Sequence, residues 1–182
     1  HVVFAAVGTA GQRCTTTRRL IIHEDVADAF VAKLAEVYGT IKIGDPLAEG
    51  TLVGPLINER AVEGYLHAVA KAKEQGGTVV CGGGRATGAG LAGGHYVMPT
   101  IIRAPKSNAL PISMEETFAP ILYVFTFKNL DDAIAMNNAV DQGLSSAIFT
   151  DSIRNAEAFL SPFGSGSDCG IANVNLGTSG AE

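Results

Sequence analysis

The chain has 182 residues, 47% of them hydrophobic, with 13 Lys+Arg against 18 Asp+Glu and a formal net charge of −5; that suits one ordinary domain with a proper core. A mildly acidic chain without a basic run is not built to grip a polyanion, so nucleic acid and anionic lipid are excluded as expected partners. No apolar stretch approaches a membrane span, and three irregularly spaced cysteines make no disulfide framework, so a reducing, cytoplasmic setting is expected.

The apolar start, residues 1–7, lacks the basic region of a signal peptide and reads as a short helix. Residues 19–23 predict a strand. Asp25 is expected to cap a helix whose Val26, Phe30, Leu34 and Val37 share one face. A loop with Gly44-Asp45-Pro46 and Gly54-Pro55 follows. The spacing predicts a helix over 59–74 burying Val62, Leu66 and Val69 and ending at Gly76-Gly77, then a short strand over 78–81.

After a glycine-rich loop, residues 96–102 predict a strand that Pro99 places at an edge or a bulge. Residues 121–127 alternate as a better strand. Asn129 is expected to cap a helix carrying Ile134, Met136 and Val140, stopped by Gly143. Residues 144–149 are apolar enough for a central strand. A short helix from Asp151 and a strand over 171–174 complete the pattern. Such alternation implies one α/β domain around an open, largely parallel sheet with helices on both faces. The uncapped apolar opening, and the close at Gly-Thr-Ser-Gly-Ala-Glu, give the expectation of a piece of a longer polypeptide.

Several familiar signals fail. Gly88-Ala-Gly90-Leu-Ala-Gly93 has the letters of a dinucleotide fingerprint, yet it precedes a strand-like segment and opens no helix that could receive a pyrophosphate. His1, His23, His67 and His95 are scattered, so no metal site is expected. A Gly-x-Ser-x-Gly elbow is absent from the sequence. Asp168 beside Cys169 reads as a turn.

Cys81 and Cys169 read as small buried thiols. Cys14 differs: it lies in the polar stretch Gly11-Gln-Arg-Cys-Thr-Thr-Thr17, with Arg13 and Arg18 near in sequence, and cationic neighbours favour a thiolate. From the residues alone, a reactive and an inert Cys14 both stand.

Gly11-Gln-Arg-Cys14 resembles the Gly-Gln-x-Cys signature of the aldehyde dehydrogenase superfamily. In the same order come Gly44-Asp-Pro, Gly54-Pro-Leu, Pro99-Thr, Glu115-Glu-Thr-Phe-Ala-Pro120, Gly143-Leu-Ser and Asn173-Val-Asn175, so the resemblance covers essentially the whole chain. Gly8-Thr-Ala-Gly-Gln-Arg-Cys-Thr-Thr-Thr-Arg-Arg19 and Asn173-Val-Asn-Leu-Gly-Thr-Ser-Gly-Ala181 look like the antiquitin-type branch of that family. Ala119 replaces the glycine of the usual Glu-x-Phe-Gly-Pro, and residues 161–167 form a slightly longer loop than the branch pattern.

The resemblance implies NAD(P)-dependent oxidation of an aldehyde to an acid, with α-aminoadipic semialdehyde of lysine degradation as substrate. Cys14 would be the nucleophile, passing through a thiohemiacetal and a thioester, with its own amide as an oxyanion donor. Glu116 would accept hydrogen bonds from the cofactor ribose, and Phe118 would lie near the nicotinamide. Arg13 would grip the substrate's distal carboxylate, and the amides of Gly180 and Ala181 would hold its amino-acid end. NAD is the implied cofactor, NADP an open alternative, and no metal is implied. The resemblance also places the general base, the oxyanion Asn and most of the cofactor site upstream of His1, and the end of the catalytic region beyond Glu182. Residues 1–182 would then be the cysteine-bearing catalytic domain of an enzyme that works as a homo-oligomer, inactive as a fragment. Two alternatives remain: a non-catalytic binding or assembly module of the same fold, and a cysteine acyltransferase or hydrolase, which would need a histidine such as His23 beside Cys14.

Overall fold

All five residues of Ile121-Leu-Tyr-Val-Phe125 are buried. Consecutive buried positions mean that both faces of a strand are covered. In the computed structural model, which describes residues 1–88 and 90–179, this strand lies inside the main sheet. The elements run α1 (Val2–Val7), a 3-10 turn (Gly8–Gly11), β1 (Arg19–His23), α2 (Glu24–Gly39), α3 (Glu59–Glu74), β2 (Thr78–Cys81) and β3 (Thr100–Arg103). A second 3-10 turn (Pro111–Met114), β4 (Ile121–Phe127), α4 (Leu130–Asn138), β5 (Ser145–Ile148), α5 (Ile153–Phe159) and β6 (Ile171–Val174) follow.

The main sheet has the order β1-β4-β3-β2, and β5 and β6 form a separate pair. The β1–β4, β3–β4 and β5–β6 pairings are parallel, while β2 joins β3 antiparallel. The fold is therefore mixed α/β with a mostly parallel sheet. Helices α1, α2 and α4 all contact β4, and Val7, Val31, Leu34, Ile101, Ile102 and Leu122 belong to one continuous core.

Five expectations change. Helix α4 ends at Asn138 with Ala139 as its C-cap, so Val140 lies outside it and Gly143 is not its stop. In α2 the buried residues are Ala27, Val31, Leu34 and Tyr38, while Val26 and Phe30 are 52% and 39% exposed. The two stripes share Leu34, which is buried as expected, and helical stepping alone does not decide between adjacent positions such as Val26 and Ala27. The cap of α2 is His23, whose Nδ1 accepts from the Asp25 amide at 3.3 Å, rather than Asp25. The strand expected over 96–102 shrinks to β3, preceded by the isolated Arg85↔Val97 bridge, since Pro99 can donate no ladder hydrogen bond. β5 is partly buried at every position and, among the described residues, pairs with β6 alone; apolar content does not tell a strand how many neighbours it will have.

Candidate active site

Parallel pairing decides where the chemistry-bearing segments meet. β1 runs beside β4 with Arg19 opposite Tyr123, so the residues just before each strand emerge at the same end of the sheet. Those residues are the Cys14 turn and the Glu116-to-Pro120 segment. The amide of Tyr123 donates to the Arg18 carbonyl at 2.9 Å, locking the two together. Leu144 just precedes β5, and Ile171 opens β6. All these groups gather at strand beginnings, whereas open α/β sheets usually bind ligands beyond the carboxyl ends.

The turn carrying Cys14 is built by an unusual backbone. Thr9, Ala10 and Gly11 have φ of 52°, 53° and 70°, left-handed values that non-glycine residues adopt rarely. At Gly11 the glycine is required. A Cβ there would lie 2.4 Å from the carbonyl carbon and oxygen of Ala119 and 2.5 Å from the nitrogen of Pro120. The signature glycine thus seats the cysteine turn directly on the Glu-x-Phe-Ala-Pro backbone. Gln12 braces the opposite side: its Oε1 accepts from the Ile57 amide at 2.9 Å, and its Nε2 donates to the Pro55 carbonyl at 3.4 Å. The Gly54-Pro55 loop is thereby tied to the same turn. Within it, the Thr16 amide donates to the Arg13 carbonyl at 3.1 Å, and the Arg13 amide donates to Thr16 Oγ1 at 3.1 Å.

Cys14 is an exposed free thiol at an open cleft of about 500 Å³ lined by Gln12, Arg13, Thr15, Leu144, Ile171 and Ser179. Among the described residues the Cys14 amide makes no hydrogen bond to an acceptor, which leaves it able to donate to a bound oxygen. The far wall is fastened to the turn through Thr178. Its hydroxyl donates to the Thr15 carbonyl at 2.7 Å and lies 2.7 Å from Thr17 Oγ1, while Ser145 Oγ donates to the Thr178 carbonyl at 2.7 Å. Gly180 and Ala181 lie outside the described residues.

The other two thiols are half-buried rather than buried as the sequence led us to expect. Cys81 is half-buried at the end of β2, and burial pushes its thiol up from its ordinary value. Cys169 Sγ donates to the Ile171 carbonyl at 3.3 Å. Neither lines the cleft among the described residues.

Glu116 and Phe118 sit in the irregular segment before β4, and Phe118 is 43% exposed. Glu116 is also half-exposed, with its Oε1 3.3 Å from Arg18 Nη2. A carboxylate accepts about four hydrogen bonds, so this one retains capacity for a diol. Arg13 lines the cleft, donates from Nε to Thr9 Oγ1 at 2.8 Å, and lies 5.7 Å from the Phe4 ring centroid.

Sequence reasoning saw Arg18 only as a cation near Cys14, yet it is the hub of this side. Burial draws its guanidinium below the ordinary arginine value, against the opposing pull of the Glu116 carboxylate and the Cys14 sulfur. An arginine directly before an apolar strand was the available signal. Thr178 and the bracing role of Gln12 were legible only once the loops were in place.

The full span, residues 1–182, matches the sequence profile described as Aldehyde dehydrogenase family. The chain is 52% identical over 180 residues to the Bos taurus protein named alpha-aminoadipic semialdehyde dehydrogenase, covering 99% of this chain and 32% of that one. It is 50% identical over 181 residues to aldehyde dehydrogenase family 7 member A1 of Pisum sativum, covering 100% of this chain and 34% of that one. The chain therefore spans about one third of the length of the curated relatives it matches. Among solved structures, PnpE in complex with nicotinamide adenine dinucleotide superposes with a TM-score of 0.86 at 31% identity, over 97% of this chain and 36% of that one.

Proposed function

The chain belongs to the aldehyde dehydrogenase family, and we propose that it is the cysteine-bearing catalytic part of an enzyme that oxidises an aldehyde to a carboxylic acid. The observation that carries this reading is the exposed Cys14 thiol in a cleft whose walls are fastened to its own turn. The proposed substrate is α-aminoadipic semialdehyde, supported by the name of the Bos taurus relative.

Cys14 acts as the nucleophile. Its sulfur adds to the aldehyde carbon, forming a C–S bond and placing charge on the former carbonyl oxygen, where the Cys14 amide can donate. A nicotinamide cofactor, when bound, supplies the hydride acceptor. The acyl group left on sulfur is a thioester; water cleaves it, releasing the acid and returning the thiol. Glu116 is the carboxylate for the cofactor ribose, and Phe118 offers a half-exposed ring beside it. NAD is the proposed cofactor, on the strength of the PnpE complex. Arg13, and the amides of Gly180 and Ala181, are proposed to hold the substrate's amino-acid end.

The matched relatives are about three times as long, so the 182-residue chain by itself is proposed to be inactive. A cysteine hydrolase would want an imidazole at the thiol. No histidine lines the cleft among the described residues, and His23 is 3.0 Å from the Lys128 carbonyl and 3.5 Å from Asp25.

Formation of NADH by the full-length protein with α-aminoadipic semialdehyde tests the reading. Wild type should turn over and Cys14→Ser should not. Turnover retained by Cys14→Ser would assign the nucleophile elsewhere.

A further inference from the structure

The Arg18 guanidinium makes contacts that no other described side chain combines. Its Nη1 donates to the Thr16 carbonyl at 3.1 Å, and its Nη2 donates to the Arg13 carbonyl at 3.1 Å. Those carbonyls bracket Cys14 on both sides in sequence. The same Nη2 lies 3.3 Å from Glu116 Oε1, and the guanidinium carbon is 5.0 Å from the centroid of the Phe118 ring. The side chain is only 18% exposed, whereas its partner Glu116 is 47% exposed. An arginine that merely neutralised a surface carboxylate would sit outside with it. Arg18 instead lies beneath, with a buried Nε that has no hydrogen-bond partner among the described residues. Leaving a buried donor unmet is unfavourable, so the fork is held by what its other nitrogens do.

We infer that Arg18 is a positioning residue that couples the cofactor carboxylate Glu116 to the backbone turn of Cys14, so that occupancy of one registers the other. The inference rests on the proposed role of Glu116. The planar fork is essential to it. Two nitrogens reach three oxygens on two segments while the guanidinium lies by the face of the Phe118 ring, a geometry that a lysine point charge cannot reproduce. Gly11 leaves these segments in backbone contact at one place; Arg18 supplies a polar tie at another.

A double-substitution cycle in the full-length protein tests this, with the NAD dissociation constant as the readout. Glu116→Gln should weaken NAD about tenfold through lost charge-assisted hydrogen bonds. Arg18→Lys should weaken NAD several-fold, because the carboxylate loses its fixed orientation. In the Glu116→Gln background, Arg18→Lys should add less than about twofold, since its effect passes through the carboxylate. Full additivity would overturn the coupling while leaving Glu116 as the cofactor carboxylate. An unchanged NAD constant in Glu116→Gln alone would remove that carboxylate and the inference together. Amide exchange supplies a second reading that needs no change at Arg18. Residues 13–18 should exchange at least about threefold faster in Glu116→Gln than in wild type, and more slowly in wild type with NAD. Exchange of that turn indifferent to Glu116→Gln would overturn the coupling, whether or not the Arg18 variant folds.

Discussion

Replacing Gly11 by alanine adds one methyl group where the structure has no room for it. The new Cβ would lie 2.4 Å from the carbonyl carbon and oxygen of Ala119 and 2.5 Å from the Pro120 nitrogen, all backbone atoms that cannot rotate aside. Two costs combine. The left-handed backbone at φ +70° costs an L-residue roughly 1–2 kcal/mol. Overfilling a close contact costs about 1–3 kcal/mol. The sum, about 2–5 kcal/mol, appears as lost stability or as a turn lifted off the Ala119–Pro120 backbone. In the second case the Cys14 sulfur moves, and a displacement near 1 Å costs on the order of a hundredfold in rate. Gly8→Ala is the matched control: Gly8 has φ −52°, and a Cβ there meets nothing within 4 Å. In the full-length protein, thermal unfolding and NADH formation should be nearly unchanged in Gly8→Ala. Gly11→Ala should unfold several degrees lower, or lose most of its turnover, or both. If the two variants behave alike, the cysteine turn is not seated on that backbone, and the account of the signature glycine fails.

Iodoacetamide followed by peptide mapping should modify Cys14 before Cys81 and Cys169, since Cys14 alone is exposed while burial pushes the Cys81 thiol up; equal labelling of all three would count against the proposed nucleophile. Arg13→Ala should harm oxidation of α-aminoadipic semialdehyde far more than that of a short aliphatic aldehyde, because only the former offers a distal carboxylate to a guanidinium. Equal loss of kcat/KM on both would place Arg13 in support of the turn. Thr178→Val removes the donor to the Thr15 carbonyl and the contact with Thr17 Oγ1; at about 0.5–1.5 kcal/mol per hydrogen bond, a modest fall in thermal stability and a larger fall in turnover should accompany it, with Thr178→Ser restoring most of both. Gln12→Ala should leave the Ile57 amide without its acceptor and speed proteolysis or amide exchange of residues 54–57; unchanged exchange there would refute the bracing role.

Local sequence was enough to place β1, α3, β2, β4 and β6, because each combines strong apolar periodicity with clear stop signals. It was also enough to set Cys14 apart from the other two thiols by its polar surroundings, but a reactive and an inert cysteine fit those surroundings equally. Glu116 and Phe118 became candidates only through resemblance: nothing in a half-exposed Glu-Thr-Phe stretch announces chemistry by itself. Tertiary structure decided the rest. Which stripe of α2 is buried depended on the shape of its neighbours, and whether β5 is central depended on strands far along the chain. The meeting of the Cys14 turn with Glu116 depends on β1 pairing parallel to β4 across about a hundred intervening residues. Arg18 shows why such features stay hidden. Its partners are two carbonyls of its own turn and a carboxylate from another strand's approach, and periodicity records which residues seek burial, not which distant groups they will find there.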